Sequence, residues 1–191
     1  MARIPTDHPR TPKLRLLEAL CRRRFGRLLD PVAAAFHNPR VLNTSLATEF
    51  GAGRWNQADP TLKALAVMAV SAEIGCSWCL DFGYWESRHQ GVDPAKLRAV
   101  TDGDPGGVLT EAERLAVDFA IASTTTPPTV DDAMVAALRE RMTDAALVEL
   151  TAMIALENQR SRFNAAMGLT AQGFKELCEY QPHGDPTCAA Q

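Results

Sequence analysis

The spacing of apolar residues predicts α-helices along most of the chain. Between residues 14 and 36, leucine, valine and phenylalanine recur every three or four positions, and Pro31 is expected to divide or kink this segment. Sustained alternation of apolar and polar residues is missing, and alanine and leucine dominate where strands would favour β-branched side chains. The same periodicity predicts further helices over residues 41–50, 61–74, 76–90, 94–100, 110–123, 133–142 and 144–167, with a short last helix capped by Thr170.

Capping residues support several of these boundaries. Asp59 precedes Pro60, the usual order of an N-cap followed by proline in the first turn. Thr110 and Glu113 have the spacing of a capping box. Gly168 follows the longest predicted helix, where glycine commonly ends a helix. The sequence therefore predicts an all-α bundle of roughly eight or nine helices with short connections.

Length and composition indicate one globular domain. The chain has 191 residues, of which 46% are hydrophobic and 23% charged, so it has enough apolar content to bury a core. We expect a domain over residues 13–180, with a flexible N-terminus through residue 12 and a flexible tail over residues 181–191, because both ends are polar and rich in proline.

Charge and hydropathy exclude several classes of protein. The net charge is −3, and the basic residues are scattered, which disfavours nucleic acid as a partner. No apolar run approaches the roughly 18 residues of a membrane span, and the first residues lack the features of a secretory signal. We therefore expect a soluble, cytoplasmic protein.

The candidate chemistry lies at a pair of cysteines. Of five cysteines only Cys76 and Cys79 are close in sequence, directly after Gly75 and at the predicted start of a helix. Unpaired N–H groups and the helix dipole stabilise a thiolate at that position, which lowers the cysteine pKa and makes the sulfur nucleophilic. A second thiol one turn away can capture an oxidised sulfur as a disulfide.

Two other interpretations of the cysteine pair remain open at this point. The spacing also serves half of a structural zinc site, although two more ligands would be needed and no second pair with that spacing exists. Alternatively, the cysteines are small buried residues in a packing seam, since free cysteine is among the most buried residue types.

At this point the sequence resembles the AhpD-like and carboxymuconolactone decarboxylase superfamily, and its actinobacterial-type members in particular. The resemblance covers about residues 38–175, with its core over about 41–125, and rests on the segments LKALAVMAVSAEIG, CSWC, ESRHQGVDPAKLRAV, LTEAERLAVDFAIASTTTPPTV and ALVELTAMIALENQRSRFNAAMGL. It implies an all-helical subunit, a trimer or hexamer, and a cysteine pair facing a pocket near a subunit contact. It also implies that Cys79 attacks a peroxide and that Cys76 resolves the product.

The chain departs from the family's peroxidase pattern at three positions. Ala64 and Gly83 stand where a glutamate and a histidine relay protons to the thiols, and Trp78 stands where another histidine is often found. Glu86 lies on the same helical stripe as Cys79, beyond Gly83, and is a candidate replacement; alternatively, Gly83 permits close helix packing and Glu86 is solvated. The catalytic candidates are therefore Cys79, Cys76 and Glu86.

The leading hypothesis is a thiol-dependent oxidoreductase without bound metal, flavin or haem. It would reduce a peroxide or exchange disulfides, using an external thiol reductant. One alternative is a non-catalytic oligomeric binding or scaffolding protein that kept the fold, and another is a decarboxylase-like small-molecule enzyme. The aromatic residues around the motif suit either a hydrophobic substrate pocket or the packed core and a subunit interface; they are Trp78, Phe82, Tyr84 and Trp85.

Overall fold

The chain folds into α-helices joined by short connections. The computed structural model describes residues 2–8, 11–103 and 107–179, and within these ranges it contains ten helices and no strand. The helices are α1 (Pro12–Phe25), α2 (Asp30–Phe36), α3 (Pro39–Ala52), α4 (Pro60–Ile74), α5 (Ser77–His89), α6 (Pro94–Asp102), α7 (Glu111–Thr124), α8 (Asp132–Arg139), α9 (Asp144–Met167) and α10 (Phe174–Glu179). The predicted all-α class is confirmed.

Two differences from the predicted elements have local causes. The segment over residues 14–36 divides into two helices as expected, but the break precedes Pro31: Gly26 adopts a left-handed conformation (φ 74°) that ends α1, and Pro31 lies in the first turn of α2. The last helix begins at Phe174, after Gly173, so the prediction that Thr170 caps it is wrong.

Side-chain caps hold several of the helix starts, including the two predicted ones at Asp59 and Thr110. Asp59 accepts hydrogen bonds from the backbone N–H groups of Thr61 and Leu62, and Thr110 and Glu113 form both halves of the capping box. Thr143 accepts from the N–H of Ala146 at the start of α9. These side chains satisfy backbone donors that a helix start leaves unpaired.

The larger of two hydrophobic clusters surrounds α4. This helix packs against α5, α6, α7 and α9, and its apolar residues are distributed all around it, as is typical of a central helix. This larger cluster, which we call the first core, is built almost entirely from aliphatic side chains. Its most deeply buried members include Leu65, Val70, Leu97, Ala120 and Leu150.

A second cluster lies at the start of α5, between α2, the end of α9 and α10. We call it the cysteine cluster. Its buried members are Leu29, Ala34, Cys76, Trp78, Cys79, Leu169 and Phe174.

The N-terminal segment over residues 2–8 lies along the cysteine cluster. Ala2 and Ile4 pack against it. The Arg3 guanidinium donates to the carbonyls of Ala165 (3.0 Å) and Ala166 (2.6 Å), and the Arg3 N–H donates to the Met167 carbonyl (2.8 Å). These bonds satisfy carbonyls at the end of α9. The flexibility expected of this segment stays a prediction, and the predicted tail over residues 181–191 lies outside the described residues.

The length and apolarity of the helices bear on membrane insertion. Across the described ranges, no helix combines the length and apolarity required to cross a bilayer.

Candidate functional site

The two cysteines lie where α4 gives way to α5. Gly75 ends α4 in a left-handed conformation (φ 75°), and the N–H of Cys76 donates to the Ser71 carbonyl (2.9 Å). Cys76 is then the N-cap of α5, and Cys79 is its third residue. The two Cα atoms are 5.3 Å apart and the sulfurs are joined in a disulfide, a separation usual for such bonds.

The cysteine pair occupies the electropositive end of α5. The N–H of Cys79 donates to Cys76 Sγ at 3.2 Å. This sulfur therefore accepts the capping hydrogen bond that a side-chain oxygen accepts at most N-caps. The predicted position at a helix start is confirmed. In the dithiol form, these amide hydrogens and the helix dipole favour negative charge on sulfur.

Asn164, near the end of α9, contacts the second cysteine. Its Nδ2 donates to Cys79 Sγ at 3.3 Å, although 85 residues separate the two in sequence. The side chain is only 2% exposed. Among the buried side-chain nitrogen and oxygen atoms of the described residues, Asn164 Oδ1 alone has no hydrogen-bond partner.

Both sulfurs are shielded from solvent. Cys76 is 1% exposed and Cys79 is 5% exposed. The N-terminal segment and the side chains of Phe25 and Val32 pack over the same cluster. Both cysteines are therefore largely out of contact with solvent in the disulfide form.

The aromatic residues of the motif are packed inside the chain. Trp78 stacks on Phe82 with ring centroids 5.0 Å apart, and Trp78 Nε1 donates to Gln172 Oε1 at 2.7 Å. Phe82 makes an edge contact with Phe174, while Tyr84 faces the first core. Within one subunit these side chains therefore serve as core, which was one of the two interpretations of the sequence.

The positions of the missing acid and base face away from the sulfurs or lack space. Ala64 is buried in the first core rather than in the cysteine cluster. A Cβ atom added at Gly83 would lie 3.1 Å from Met68 Sδ on α4. Gly83 therefore permits close packing of α5 on α4, as the second interpretation of that glycine held.

Glu86 lies two turns beyond Cys79 on α5. Seven residues of helix separate their Cα atoms by about 10 Å. The carboxyl is partly buried, and this burial raises its pKa, while the positive charge of Arg160 opposes the rise. Its catalytic role stays a prediction.

A buried polar stripe runs along α9 from Glu157 through Ser161 to Asn164. Glu157 Oε1 accepts from the hydroxyls of Ser161 (2.7 Å) and Ser71 (3.1 Å), and its Oε2 accepts from Arg160 (3.3 Å). Burial raises the pKa of Glu157, and Arg160 with the two hydroxyls opposes the rise. Arg160 also pairs with Glu49 on α3.

A run of polar residues near the end of a helix is ordinarily solvated. Glu157, Ser161 and Asn164 are instead buried within the chain. Their spacing of four and then three residues places them on one helix face and was the available signal.

Metal ligation was a further possibility for the cysteine pair. Over the residues that the structure describes, no group of three or more His, Cys, Asp or Glu side chains is arranged to hold a metal ion. Cys21 on α1 is a free, buried thiol, and its burial raises its pKa.

Comparisons of the sequence with known proteins identify two matches. Residues 39–122 match the sequence model of the carboxymuconolactone decarboxylase family. The chain is also 32% identical over 161 residues to the uncharacterized protein YnjA of Escherichia coli strain K12, an overlap of 84% of this chain and 88% of YnjA.

Several crystal structures share the fold. A peroxidase-related protein with an AhpD core from Ralstonia eutropha JMP134 has a TM-score of 0.80 at 18% identity, covering 91% of this chain and 94% of that one. A peroxidase-related protein from Silicibacter sp. TM1040 has a TM-score of 0.79 at 18% identity, covering 91% and 92%. A cysteine-to-alanine variant of the debrominase Bmp8, in complex with 2,3,4-tribromopyrrole, has a TM-score of 0.78 at 21% identity, covering 92% and 96%. At these identities the likeness shows the fold alone.

Proposed function

Because this chain belongs to the AhpD and carboxymuconolactone decarboxylase superfamily, we propose that it is a thiol-dependent oxidoreductase that cycles between a Cys76–Cys79 dithiol and a disulfide. The observation that carries the proposal is the position of both sulfurs at the start of α5, within bonding distance of each other. Such a pair accepts and returns two electrons without a bound cofactor.

The proposed reaction reduces a peroxide in two steps. The Cys79 thiolate attacks one peroxide oxygen, the O–O bond breaks, and an alkoxide or hydroxide leaves and takes a proton from solvent to become an alcohol or water, so that Cys79 becomes a sulfenic acid. The Cys76 thiol then attacks that sulfur, forms the disulfide, and gives its proton to the departing hydroxide as water. An external dithiol supplies two electrons and two protons and restores the reduced pair.

The roles of the two cysteines follow the resemblance and are supported by their surroundings. Cys79 is the more exposed of the two residues, and its sulfur receives a hydrogen bond from a side-chain amide. Cys76 is more deeply buried, and its sulfur accepts from the Cys79 N–H at the start of the helix. A nucleophile that meets a substrate needs the more open position, whereas a resolving thiol needs only to reach its neighbour.

Peroxide consumption driven by a dithiol reductant tests the proposal. We expect Cys79→Ser to abolish turnover, and Cys76→Ser to lose steady-state turnover while Cys79 still reacts once with peroxide. Cys21→Ser is the matched control, because it removes a buried free thiol outside the pair. Equal turnover in the parent and both pair variants would exclude a dithiol mechanism.

The main rival is a non-catalytic binding or scaffolding protein. It is favoured by the burial of both sulfurs and by the absence of the family's acid and base at positions 64 and 83. This rival predicts that, in the folded protein, an external dithiol does not reduce the disulfide at a useful rate and peroxide does not reoxidise the reduced pair. The same peroxide assay on the parent chain decides between the two.

We also propose that the protein acts in the cytoplasm as a homo-oligomer, a trimer or hexamer. The resemblance to the family implies such an assembly, and large apolar side chains are exposed on the single chain, among them Phe50 on α3 and Val148 on α9. Light scattering coupled to size-exclusion chromatography measures the mass directly. A mass of one chain at working concentrations would contradict this part of the proposal.

A further inference from the structure

We propose that Asn164 is a catalytic residue that favours the reduced form of the cysteine pair, because its Nδ2 donates a stronger hydrogen bond to a Cys79 thiolate than to the disulfide sulfur. The inference rests on the proposed dithiol–disulfide cycle and adds to it a group that neither the family pattern nor the cysteine motif contains.

In the disulfide form the Asn164 amide is only half paired. Its Nδ2 donates to Cys79 Sγ at 3.3 Å, and a neutral disulfide sulfur is a weak acceptor. Its Oδ1 has no partner although the side chain is 2% exposed. An unpaired buried acceptor has lost its bonds to water without replacement, which disfavours the state that contains it.

Reduction strengthens the one bond that the amide makes to sulfur. An external dithiol delivers two electrons and two protons, the S–S bond breaks, and Cys79 is released as a thiol that ionises to a thiolate. The thiolate accepts a charge-assisted hydrogen bond from Asn164 Nδ2, which is stronger than the bond to a neutral disulfide sulfur. The gain on reduction therefore lies in the Nδ2 bond to the Cys79 thiolate.

An asparagine has the required chemistry because its amide carries an N–H donor on a rigid group. The side chain lies on a regular helix, α9, and is held in place by burial. Its Nδ2 therefore stays beside Cys79 when the charge on the sulfur changes. Asn158 on the same helix shows the ordinary arrangement, since its Nδ2 donates to Thr124 Oγ1 (2.9 Å) and to the Ile154 carbonyl (3.1 Å) and does not touch the cysteines.

The redox equilibrium of the pair with glutathione tests the inference. The purified full-length protein is equilibrated in buffers with different ratios of reduced to oxidised glutathione, and the fraction of reduced Cys76 and Cys79 is read by alkylation and mass spectrometry. We expect Asn164→Leu, which has similar volume and no polar atom, to shift the equilibrium constant about tenfold toward the disulfide, or about 30 mV. Asn158→Ala should leave it unchanged.

A second variant keeps the test decisive if the leucine variant does not fold. Asn164→Asp preserves shape but places an anion without a donor beside Cys79, so it should shift the equilibrium toward the disulfide and raise the pKa of the Cys79 thiol, measured by pH-dependent alkylation. An equilibrium constant within twofold of the parent in the folded variants would overturn the inference.

This outcome is separable from failure of the proposed function. If the parent pair cycles with dithiol and peroxide but ignores substitution of Asn164, only the present inference fails. If the parent pair cannot be reduced and reoxidised in the folded protein, the proposed function itself fails.

Discussion

Two polar side chains on one face of α9, Glu157 and Asn164, lie seven residues apart and are about equally buried, at 3% and 2% exposure, yet their surroundings differ. Glu157 is fully engaged by two hydroxyls and a guanidinium. Asn164 has one bond to a sulfur and an oxygen with no partner. A buried polar side chain that makes all of its hydrogen bonds stabilises a single conformation. A side chain with only part of its hydrogen bonds made is better placed at a site whose chemical state changes.

The difference extends to the regions around them. Glu157 joins α9 to α4 through Ser71 and to α3 through Arg160 and Glu49, so it stabilises the packing of three helices. Asn164 faces the cysteine cluster, where a covalent bond can form and break. We therefore expect substitutions at Glu157 to affect stability and substitutions at Asn164 to affect redox chemistry.

The largest expected effect is on stability at Glu157. Glu157→Ala removes the carboxylate that pairs with Arg160 and leaves the buried Ser161 hydroxyl without its acceptor, while Ser71 keeps the Val67 carbonyl at 2.8 Å. We expect it to lower the free energy of unfolding by about 3 kcal/mol, measured by urea denaturation. The reason is that the buried groups which lose their partner still carry the free-energy cost of having left water. Glu140→Ala, at an exposed carboxylate on the surface, is the control and should change it by less than about 0.5 kcal/mol. A loss below about 1 kcal/mol at Glu157 would erase the contrast with Asn164.

A smaller loss is expected at Gly83, which lies between the two regions on α5. Gly83→His restores the family's residue type but adds an imidazole where a Cβ atom alone would lie 3.1 Å from Met68 Sδ, so we expect a loss of about 2 kcal/mol from overpacking and no gain in peroxide turnover. Gly83→Ala is the control, because the flexible end of Met68 can shift and alanine improves helix propensity by about 1 kcal/mol. Higher turnover in the histidine variant would show that this position does reach the sulfurs.

The pH dependence of stability separates the charge of Glu157 from its shape. Burial raises the pKa of Glu157 in the folded state above the ordinary value of 4.5. Between these two pKa values the folded chain binds more protons than the unfolded chain, so stability falls as the pH rises through that window. Glu157→Gln removes this contribution. Glu86 shifts in the same direction, and the difference between parent and variant isolates Glu157. We expect urea titrations from pH 4 to 7 to show a smaller loss of stability in the variant, and a larger loss would contradict the account.

The smallest expected effect is on the stability of the Asn164 variants. In the disulfide form, Asn164→Leu replaces a half-paired amide by an apolar group of similar volume. We expect the free energy of unfolding to change by less than about 1 kcal/mol, since one weak hydrogen bond is lost and one unpaired acceptor is removed. A loss above about 2 kcal/mol would assign Asn164 a structural role like that of Glu157.

Local sequence signals predict much of the fold. The capping box at Thr110 and the cap at Asp59 place helix starts correctly because they depend on residues within one turn. The bond between Asn164 and Cys79 is not predictable in this way, since it depends on how α9 packs against α5. The same holds for Gly83, whose role is set by Met68 on a different helix. The sequence thus locates the cysteine pair but not the groups that surround it.

The central claim is that Cys76 and Cys79 form a reversible redox pair, and its most direct test is the reaction of reduced protein with one equivalent of hydrogen peroxide. The Cys21→Ser background removes the other free thiol among the described residues, and mass spectrometry of peptides identifies the product. We predict one disulfide between Cys76 and Cys79, formed with the loss of two hydrogen atoms and reversed by a dithiol. If both thiols stay open to alkylation, or Cys79 is held as a sulfenic acid while Cys76 remains free, the claim is contradicted.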